Sequence, residues 1–210
     1  MSSLPTPSKI VCVGRNYVAH AAEMGNEVPA EPLLFLKPPS ALVGIGEPIV
    51  LPPGVGRVDY EGEIGVVIGR RATKISEADA LSFVDGIVPL NDVTARELQR
   101  KDSQWSRAKG FDSFCPVGEM TPILDVDLER LSVLTRVNGE EKQRGEIGQM
   151  VFSIPFLVAY VSRIMTLEPG DLLATGTPEG VGPLSHGDVV EVELPGLATL
   201  TNPVVSDVER

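Results

Sequence analysis

Three carboxylates in the chain, Glu61, Glu63 and Asp92, have the spacing of a divalent-cation site. Glu61 and Glu63 are two residues apart in a predicted strand, so their side chains share one face, with backbone positions about 6–7 Å apart. Two carboxylates held that close repel each other unless something neutralises them. Asp92 ends another predicted strand and directly precedes a predicted helix. Spacing alone favours a solvated pair of glutamates on an edge strand.

The surroundings of these carboxylates shift the interpretation toward a metal. Asp59 lies just before the pair, and Gly62 leaves the opposite face of the strand empty. The cluster has no nearby His or Cys, and oxygen-only ligands suit a hard cation such as Mg²⁺ or Mn²⁺. Three carboxylates would leave about three octahedral positions open, enough for a chelating substrate and a water.

Basic residues that could form a substrate pocket occur at three places in the chain. The formal net charge is −11, so an acidic substrate would need a local cationic pocket. Arg96 and Gln99 lie three apart on the helix after the third carboxylate and share a face. Lys109 lies in a glycine-containing loop, and Arg15 follows a glycine at a strand end. Each alone is more often a surface charge, but together they could supply the pocket.

A histidine and a glutamate three residues apart, His20 and Glu23, form a possible acid–base pair in a helical stretch. That spacing lets the carboxylate orient and charge the imidazole. Such a pair is a plausible general base for a water molecule. An exposed ion pair explains the same spacing equally well. The second histidine, His186, lies in a Ser-His-Gly-Asp turn and is interpreted as a surface residue.

Several motifs of other enzyme classes are absent from the sequence. There is no Gly-x-Ser-x-Gly elbow of an α/β-hydrolase serine. The glycine-rich stretch 176–182 lacks Gly-Lys-[Ser/Thr], so it is not a P-loop, and no dinucleotide fingerprint follows a strand. With only two histidines, a His-rich zinc site is excluded.

The bulk composition predicts one globular domain over residues 1–210, with residues 1–8 as a flexible N-terminal extension. The acidic charge and the 5% aromatic content argue against nucleic-acid and anionic-membrane partners. We expect a cytoplasmic protein, because neither a signal peptide nor a membrane-spanning run is present. Cys12 and Cys115 are interpreted as small buried hydrophobes in a reducing compartment.

The elements that must position these groups are mostly strands. Predicted strands cover residues 9–14, 33–36, 61–69, 86–91, 133–138, 140–144, 187–194 and 197–200. Asn138-Gly139 is a strong hairpin signal. Helices are predicted at 16–24, at about 76–84 and from 94 (both opened by capping boxes), and from an N-cap at Ser153 to the stop at Pro169-Gly170. The pattern predicts a strand-rich α+β fold with mostly antiparallel or mixed pairing.

Six separate stretches resemble one known family. They are residues 13–17 with His20 and Glu23, 36–42, 59–63, 91–96 with Gln99, 104–112 with 115–116, and 170–182. In this order they resemble the fumarylacetoacetate hydrolase family, in its short single-domain branch of acylpyruvate hydrolases and oxaloacetate decarboxylases. The likeness covers about residues 9–205.

The resemblance implies a roll of mixed β-sheets of the fumarylacetoacetate hydrolase C-terminal domain type, and a homodimer. It implies metal ligation by Glu61, Glu63 and Asp92. His20 and Glu23 resemble a dyad on a lid helix, and Lys109 resembles the cation that stabilises an enolate. The residues that resemble substrate contacts are Arg15, Arg96, Gln99 and Thr177, with Thr177 near the substrate carboxylate.

The resemblance also implies a reaction. We expect cleavage of a carbon–carbon bond in a 2-oxo acid, by hydrolysis of an acylpyruvate such as fumarylpyruvate or acetylpyruvate, with possible oxaloacetate decarboxylation. One alternative is an isomerase or decarboxylase of a longer dicarboxylic 2-oxo acid in aromatic catabolism. Another is a non-catalytic metal-binding scaffold protein. A short distal pocket would favour the first reaction, and a second cationic patch would favour the isomerase or decarboxylase.

Overall fold

The strand-rich pattern of the sequence folds into two main β-sheets with few helices. A computed structural model describes residues 6–23, 25 and 27–207. Residues 1–5 of the predicted flexible extension lie outside these described residues. At the end of that extension, the Ser8 backbone N–H donates to Asp171 Oδ1 at 2.9 Å.

The strands, numbered in chain order, are β1 (Ile10–Gly14), β2 (Leu33–Lys37), β3 (Leu42–Val43), β4 (Ile49–Leu51), β5 (Val58–Tyr60), β6 (Gly62–Ile68), β7 (Val84–Asn91), β8 (Thr94–Ala95), β9 (Cys115–Pro116), β10 (Thr121–Pro122), β11 (Ser132–Val137), β12 (Glu140–Glu146), β13 (Leu172–Ala174), β14 (Gly182–Pro183), β15 (Val189–Leu194) and β16 (Ala198–Ser206). The α-helices are α1 (Val18–Glu23), α2 (Arg96–Lys101), α3 (Ser106–Lys109) and α4 (Ile154–Ile164). Short 3₁₀ turns cover Pro39–Ala41, Ala80–Phe83, Ile123–Asp125, Leu128–Arg130 and Ile147–Gln149. Strand content with mixed pairing confirms the predicted fold class.

The larger sheet carries the predicted carboxylates. Its strand order is β10-β7-β6-β13-β1-β2, with β1 parallel to β13 and the other neighbours antiparallel. The Val- and Ile-rich β6 is buried along its whole length, as expected for a central strand. Gly62 pairs with Asn91, so the start of β6 and the end of β7 lie side by side.

The second sheet has the order β12-β11-β15-β16-β4. Its β11–β12 hairpin turns at Asn138 and Gly139, which have φ angles of 53° and 79°. Both lie in the left-handed region that a type I′ turn requires, which explains the Asn-Gly pair and confirms the predicted hairpin. Smaller sheets join β14-β5-β8 and β3-β9.

The main apolar core fills the space between the two large sheets and α4. Ile64 and Val66 of β6 belong to one buried cluster with Val133 of β11, Leu200 of β16 and Leu157 of α4. Burial of each such side chain contributes about 1.5–3 kcal/mol relative to exposure. Val67, on the opposite face of β6, belongs to a second buried cluster. The β6 strand is therefore held from both faces, which fixes the register of the carboxylates at its start.

The helices confirm some sequence predictions and correct others. Ser153 caps α4 by accepting from the Phe156 N–H at 3.3 Å, as predicted. Thr94 does not cap α2: its hydroxyl donates to the Asp92 carbonyl at 2.9 Å, and the helix begins after Ala95 with no side-chain cap. The helix predicted at 76–84 is wrong, because the segment forms a 3₁₀ turn at Ala80–Phe83.

Helix α1 is shorter than the predicted 16–24, since Tyr17 forms an isolated bridge with Met150. Glu61 lies just before β6 rather than within it. Among the described residues, no helix is long and apolar enough to cross a bilayer.

Candidate functional site

One cavity of about 380 Å³ contains every site residue that the sequence analysis proposed. The ten residues proposed from the sequence, all of which line it, are Arg15, His20, Glu23, Glu61, Glu63, Asp92, Arg96, Gln99, Lys109 and Thr177. They come from five separate stretches of chain, so only the tertiary fold brings them together. Phe35, Arg100 and Trp105 also line the cavity and were not predicted.

The three predicted metal ligands form one buried cluster. Ligand oxygens of Glu61, Glu63 and Asp92 all lie within 4.8 Å of one another. The three residues are 4%, 2% and 1% exposed, so a solvated edge-strand pair does not describe Glu61 and Glu63. Sheet pairing fixes the cluster: the Asp92 N–H donates to the Glu61 carbonyl at 2.8 Å, and the Glu61 N–H donates to Asn91 Oδ1 at 2.9 Å.

A chain of alternating charges surrounds two of these carboxylates. The ion-pair distances, in order, are 2.6 Å from Arg57 to Asp59, 2.7 Å from Asp59 to Arg96, 2.6 Å from Arg96 to Glu61, 2.8 Å from Glu61 to Lys109, 2.5 Å from Lys109 to Asp92 and 2.6 Å from Asp92 to Lys37. Arg57 is half-exposed, and the other members are buried. Burial opposes ionisation of Glu61, but Lys109 and Arg96 outweigh it and hold the pKa of its carboxyl well below the ordinary range.

Glu63 is not part of this series of ion pairs. Its Oε2 accepts from the Gly176 backbone N–H at 2.8 Å, and the ion pairs among the described residues all involve other carboxylates. Burial, with the nearby charges of Asp92 and Glu61, raises the pKa of the Glu63 carboxyl well above its usual value. A buried carboxylate beside two others, without its own cation, fits a divalent metal ion held by oxygen ligands.

Lys109 bridges two of the metal-ligand candidates. Its Nζ lies 2.8 Å from Glu61 Oε2 and 2.5 Å from Asp92 Oδ2, and 4.9 Å from the centre of the Phe35 ring. Burial disfavours the ammonium, but the charges of Asp92 and Glu61 outweigh it and raise the pKa of Lys109. The lysine is therefore held as a cation in the cavity lining.

Arg96 is held by three protein side chains. Its Nε donates to Asp59 Oδ2 at 2.7 Å, its Nη1 donates to Gln99 Oε1 at 2.9 Å, and its Nη2 lies 2.6 Å from Glu61 Oε1. The guanidinium thus orients a candidate metal ligand. Gln99 accepts through its carbonyl oxygen, so its amide group remains available to the cavity.

The His20–Glu23 pair is positioned by a distant loop. His20 Nδ1 lies 3.4 Å from Glu23 Oε2, and the Glu23 carboxylate accepts from the Gly180 N–H at 3.1 and 3.2 Å. His20 is 7% exposed and lines the cavity, so it is not part of a solvated surface pair. Glu23 ties α1 to the 175–181 loop.

Thr177 and Arg15 differ in how the fold constrains them. The Thr177 hydroxyl donates to the Gly62 carbonyl at 2.9 Å and accepts from Gln143 Nε2 at 2.8 Å. The Thr177 hydroxyl hydrogen is therefore already used in a hydrogen bond within the protein. Arg15 has a φ of 59°, in the left-handed region that non-glycine residues rarely adopt. Such a backbone persists only where the surrounding structure holds it.

Sequence reasoning missed Lys37 and the aromatic wall. The Lys37 side chain is fully buried, with its Nζ 2.6 Å from Asp92 Oδ1. The one signal was a lysine that ends the apolar run of β2. Phe35 and Trp105 pack edge to face, with ring centres 5.2 Å apart, and nothing in their local sequence indicated a cavity.

Three residues considered in the sequence analysis lie outside the cavity lining. Cys12 and Cys115 are free and buried, which confirms their interpretation as small buried side chains. Burial raises the pKa of the Cys115 thiol to about 12. His186 is exposed, as predicted.

Comparison with known proteins identifies the family. Residues 9–205 match the family model described as fumarylacetoacetate (FAA) hydrolase C-terminal. The human mitochondrial oxaloacetate tautomerase FAHD1 is 44% identical over 197 residues, which cover 91% of this chain and 89% of that protein.

Two solved structures share the fold over nearly the whole chain. The 5-carboxymethyl-2-hydroxymuconate delta-isomerase from Mycobacterium smegmatis superposes with a TM-score of 0.90 and 46% identity, covering 97% of this chain and 81% of that one. The fumarylpyruvate hydrolase from Pseudomonas aeruginosa, in complex with Mn²⁺ and pyruvate, has a TM-score of 0.90 and 36% identity, covering 98% and 94%. The chain therefore belongs to the fumarylacetoacetate hydrolase family.

Proposed function

We propose that this chain is an enzyme that uses Mg²⁺ or Mn²⁺ to cleave a carbon–carbon bond in a 2-oxo acid. The observation that carries the proposal is that the carboxylate cluster, the His20–Glu23 pair and Lys109 line one cavity. The reaction we favour is hydrolysis of an acylpyruvate, with oxaloacetate decarboxylation as a related activity of the same site. A structural metal site would not require the histidine–glutamate pair or the lysine.

Charge in the cavity supports an anionic substrate and a cation. Four acidic side chains (Glu23, Glu61, Glu63 and Asp92) and four basic ones (Arg15, Arg96, Arg100 and Lys109) line it, so their formal charges cancel. A divalent cation held by Glu61, Glu63 and Asp92 would make the cavity positive and would polarise the keto oxygen of a 2-oxo acid. A positive cavity in a chain of net charge −11 would concentrate an anion locally.

The protein's own groups suit the expected charge development. Cleavage between C3 and C4 of an acylpyruvate leaves an electron pair on the pyruvate fragment, as an enolate. Lys109 stays protonated at neutral pH and is fixed before the reaction begins, so it can stabilise that charge without reorganising.

In the proposed hydrolysis, His20 activates the attacking water. The imidazole would take a proton from a water that adds to the distal carbonyl, and Glu23, held by the Gly180 N–H, would orient the ring. The products are a carboxylic acid and, after protonation of the enolate at C3, pyruvate. Decarboxylation of oxaloacetate forms the same enolate and requires no attacking water.

A second candidate is proton transfer at the carbon next to the keto group. Two relatives carry the names oxaloacetate tautomerase and 5-carboxymethyl-2-hydroxymuconate delta-isomerase. The observation that favours proton transfer is that the cavity lining holds one imidazole, His20, paired with the Glu23 carboxylate. One base is enough to move a proton between oxygen and carbon.

A substrate panel tests both candidates. Acetylpyruvate, fumarylpyruvate, oxaloacetate and a longer dicarboxylic 2-oxo acid would each be supplied with Mg²⁺ and with Mn²⁺, while pyruvate release and loss of enol absorbance are followed together. The proposal expects metal-dependent pyruvate release from an acylpyruvate. Enol loss without pyruvate would favour the tautomerase or isomerase. No turnover of any compound by protein that binds Mn²⁺ would support a non-catalytic metal-binding role.

A further inference from the structure

Two of the four basic residues that line the cavity are not used by the carboxylate network. Lys109 and Arg96 are held by Glu61, Asp92 and Asp59. For Arg15 and Arg100, by contrast, the described part of the chain provides no carboxylate within ion-pair distance. Both nevertheless line the cavity. In a chain of net charge −11, two guanidinium groups without acidic partners at one cavity suit an anionic ligand.

Helix α2 determines where Arg100 lies relative to the carboxylate cluster. Arg96, Gln99 and Arg100 are spaced i, i+3 and i+4, so they share one face of the helix. Arg96 contacts Glu61 from the first turn of α2. Arg100 follows about 6 Å further along the helix axis. A ligand that reaches Arg100 from the carboxylate cluster must therefore extend about one helical turn beyond it.

Arg15 adds a second guanidinium to the cavity lining. It directly follows β1, and its φ of 59° shows that the fold holds this residue in an unfavourable backbone conformation. Guanidinium groups recognise carboxylates with paired hydrogen bonds, and the planar fork favours carboxylate geometry over that of a neutral group. The Phe35–Trp105 pair forms an apolar wall of the same cavity, which suits a carbon chain between two charged ends.

We propose that Arg100, together with Arg15, forms a second anion subsite that selects 2-oxo acids with a distal carboxylate. This inference rests on the proposed function, in which the 2-oxo acid end of the substrate lies at the carboxylate cluster. The preferred substrates are then 2-oxo dicarboxylates, which include acylpyruvates with a distal carboxylate such as fumarylpyruvate and also the longer dicarboxylic acids of the isomerase or decarboxylase alternative. Acylpyruvates with a small neutral acyl group, such as acetylpyruvate, are poor substrates.

Binding of two probes of equal length tests the subsite. 2-Oxoglutarate and 2-oxopentanoate each have five carbons and one 2-oxo acid end, and only the first has a distal carboxylate. Isothermal titration of Mn²⁺-loaded protein should show at least about fivefold tighter binding of 2-oxoglutarate. Arg100→Leu should remove most of that preference and leave the affinity for 2-oxopentanoate unchanged.

Two further variants complete the experiment. Lys101→Leu makes the same change of charge on the neighbouring α2 residue, which does not line the cavity, and should keep the preference. Arg15→Asn replaces Arg15 with a residue that tolerates a left-handed backbone, and should reduce the preference as Arg100→Leu does.

The outcomes separate failure of the subsite from failure of the proposed function. Equal affinity for the two probes in the wild type, or a preference that survives Arg100→Leu, overturns the subsite alone. If neither probe binds the Mn²⁺-loaded protein, the proposed function fails and the subsite fails with it.

Discussion

Arg96 lies 2.6 Å from Glu61, measured from Nη2 to Oε1. The same guanidinium is anchored from behind by Asp59, 2.7 Å from its Nε, and Asp59 in turn is bound by Arg57. Arg96 therefore positions a carboxylate of the metal-ligand cluster, whatever contact it also makes with substrate. Groups that orient metal ligands in this way commonly affect metal affinity as strongly as activity.

Replacing Asp59 should weaken metal binding without touching the metal ligands. Asp59→Asn removes the charge that holds Arg96, so Glu61 loses its fixed orientation. We expect Mn²⁺ affinity to fall about 10–100-fold, as measured by titration with the paramagnetic ion. Asp85→Asn, at the far exposed end of β7, is the control and should keep wild-type affinity. Unchanged affinity in Asp59→Asn would show that the anchor is dispensable.

Glu63→Gln should affect the metal-free and metal-loaded protein in opposite directions. At neutral pH the folded, metal-free protein holds a buried carboxylate whose charge is opposed by burial and by Asp92 and Glu61. The neutral amide removes that penalty, so the free energy of unfolding without metal should rise by on the order of 1 kcal/mol.

The stabilisation that Mn²⁺ gives the wild type should largely disappear in Glu63→Gln, because binding to the folded state is weakened. Urea unfolding with and without Mn²⁺ measures both effects, with the exposed Glu77→Gln as the control. An equal Mn²⁺-induced shift in wild type and Glu63→Gln would remove Glu63 from the metal site.

His20→Ala should separate hydrolysis from decarboxylation. Loss of the general base should slow acylpyruvate hydrolysis about 10²–10⁴-fold, whereas oxaloacetate decarboxylation, which needs no attacking water, should fall much less. Parallel assays of kcat on the two substrates measure the difference. His186→Ala changes the exposed histidine and should leave both rates unchanged. Equal losses in His20→Ala would exclude a specific role in water activation.

Asp171 should make stability depend on pH at the acid end. Burial opposes its ionisation, but donors from Glu168, Lys9 and Ser8 outweigh burial and lower the pKa of its carboxyl. A lowered pKa in the folded state stabilises the protein above the unfolded-state pKa of about 4, and this contribution is lost as the pH falls through the folded-state pKa.

Asp171→Asn should therefore lower the free energy of unfolding by about 1.5–3 kcal/mol at pH 7, and by progressively less below about pH 4. Urea unfolding at several pH values measures this, with the exposed Asp125→Asn as the control. A difference between wild type and Asp171→Asn that is constant with pH would contradict the charged role of Asp171.

The sequence predicted the cluster partly from local spacing, although that spacing alone favoured a solvated pair and the family resemblance supplied the ligand roles. Glu61 and Glu63 are two residues apart at the start of β6, and Asp92 directly follows β7, which pairs with β6 in the structure. This pairing, which the sequence did not specify, brings the three carboxylates together. The hairpin at Asn138-Gly139 was local, since the turn type depends on those two residues.

The features that sequence reasoning missed depend on long-range contacts. Lys37 reaches Asp92 across 55 positions of chain, and a lysine after an apolar run carries no local sign of such a partner. The capping box predicted at Thr94 failed because Thr94 is paired in β8 with Asp59, and the helix begins one residue later, after Ala95. In the sequence, Arg100 cannot be distinguished from an ordinary surface charge on a helix. Only the tertiary structure shows that it lines the cavity.

Metal removal followed by metal return tests whether the carboxylate cluster holds a catalytic cation. The protein would be stripped with chelator, assayed with fumarylpyruvate, and assayed again after addition of excess Mn²⁺ or Mg²⁺. We predict that stripping abolishes pyruvate release while the protein stays folded, and that either cation restores it, because charge stabilisation at the Glu61, Glu63 and Asp92 cluster is lost and regained. Full activity in excess chelator would exclude a catalytic cation at this cluster.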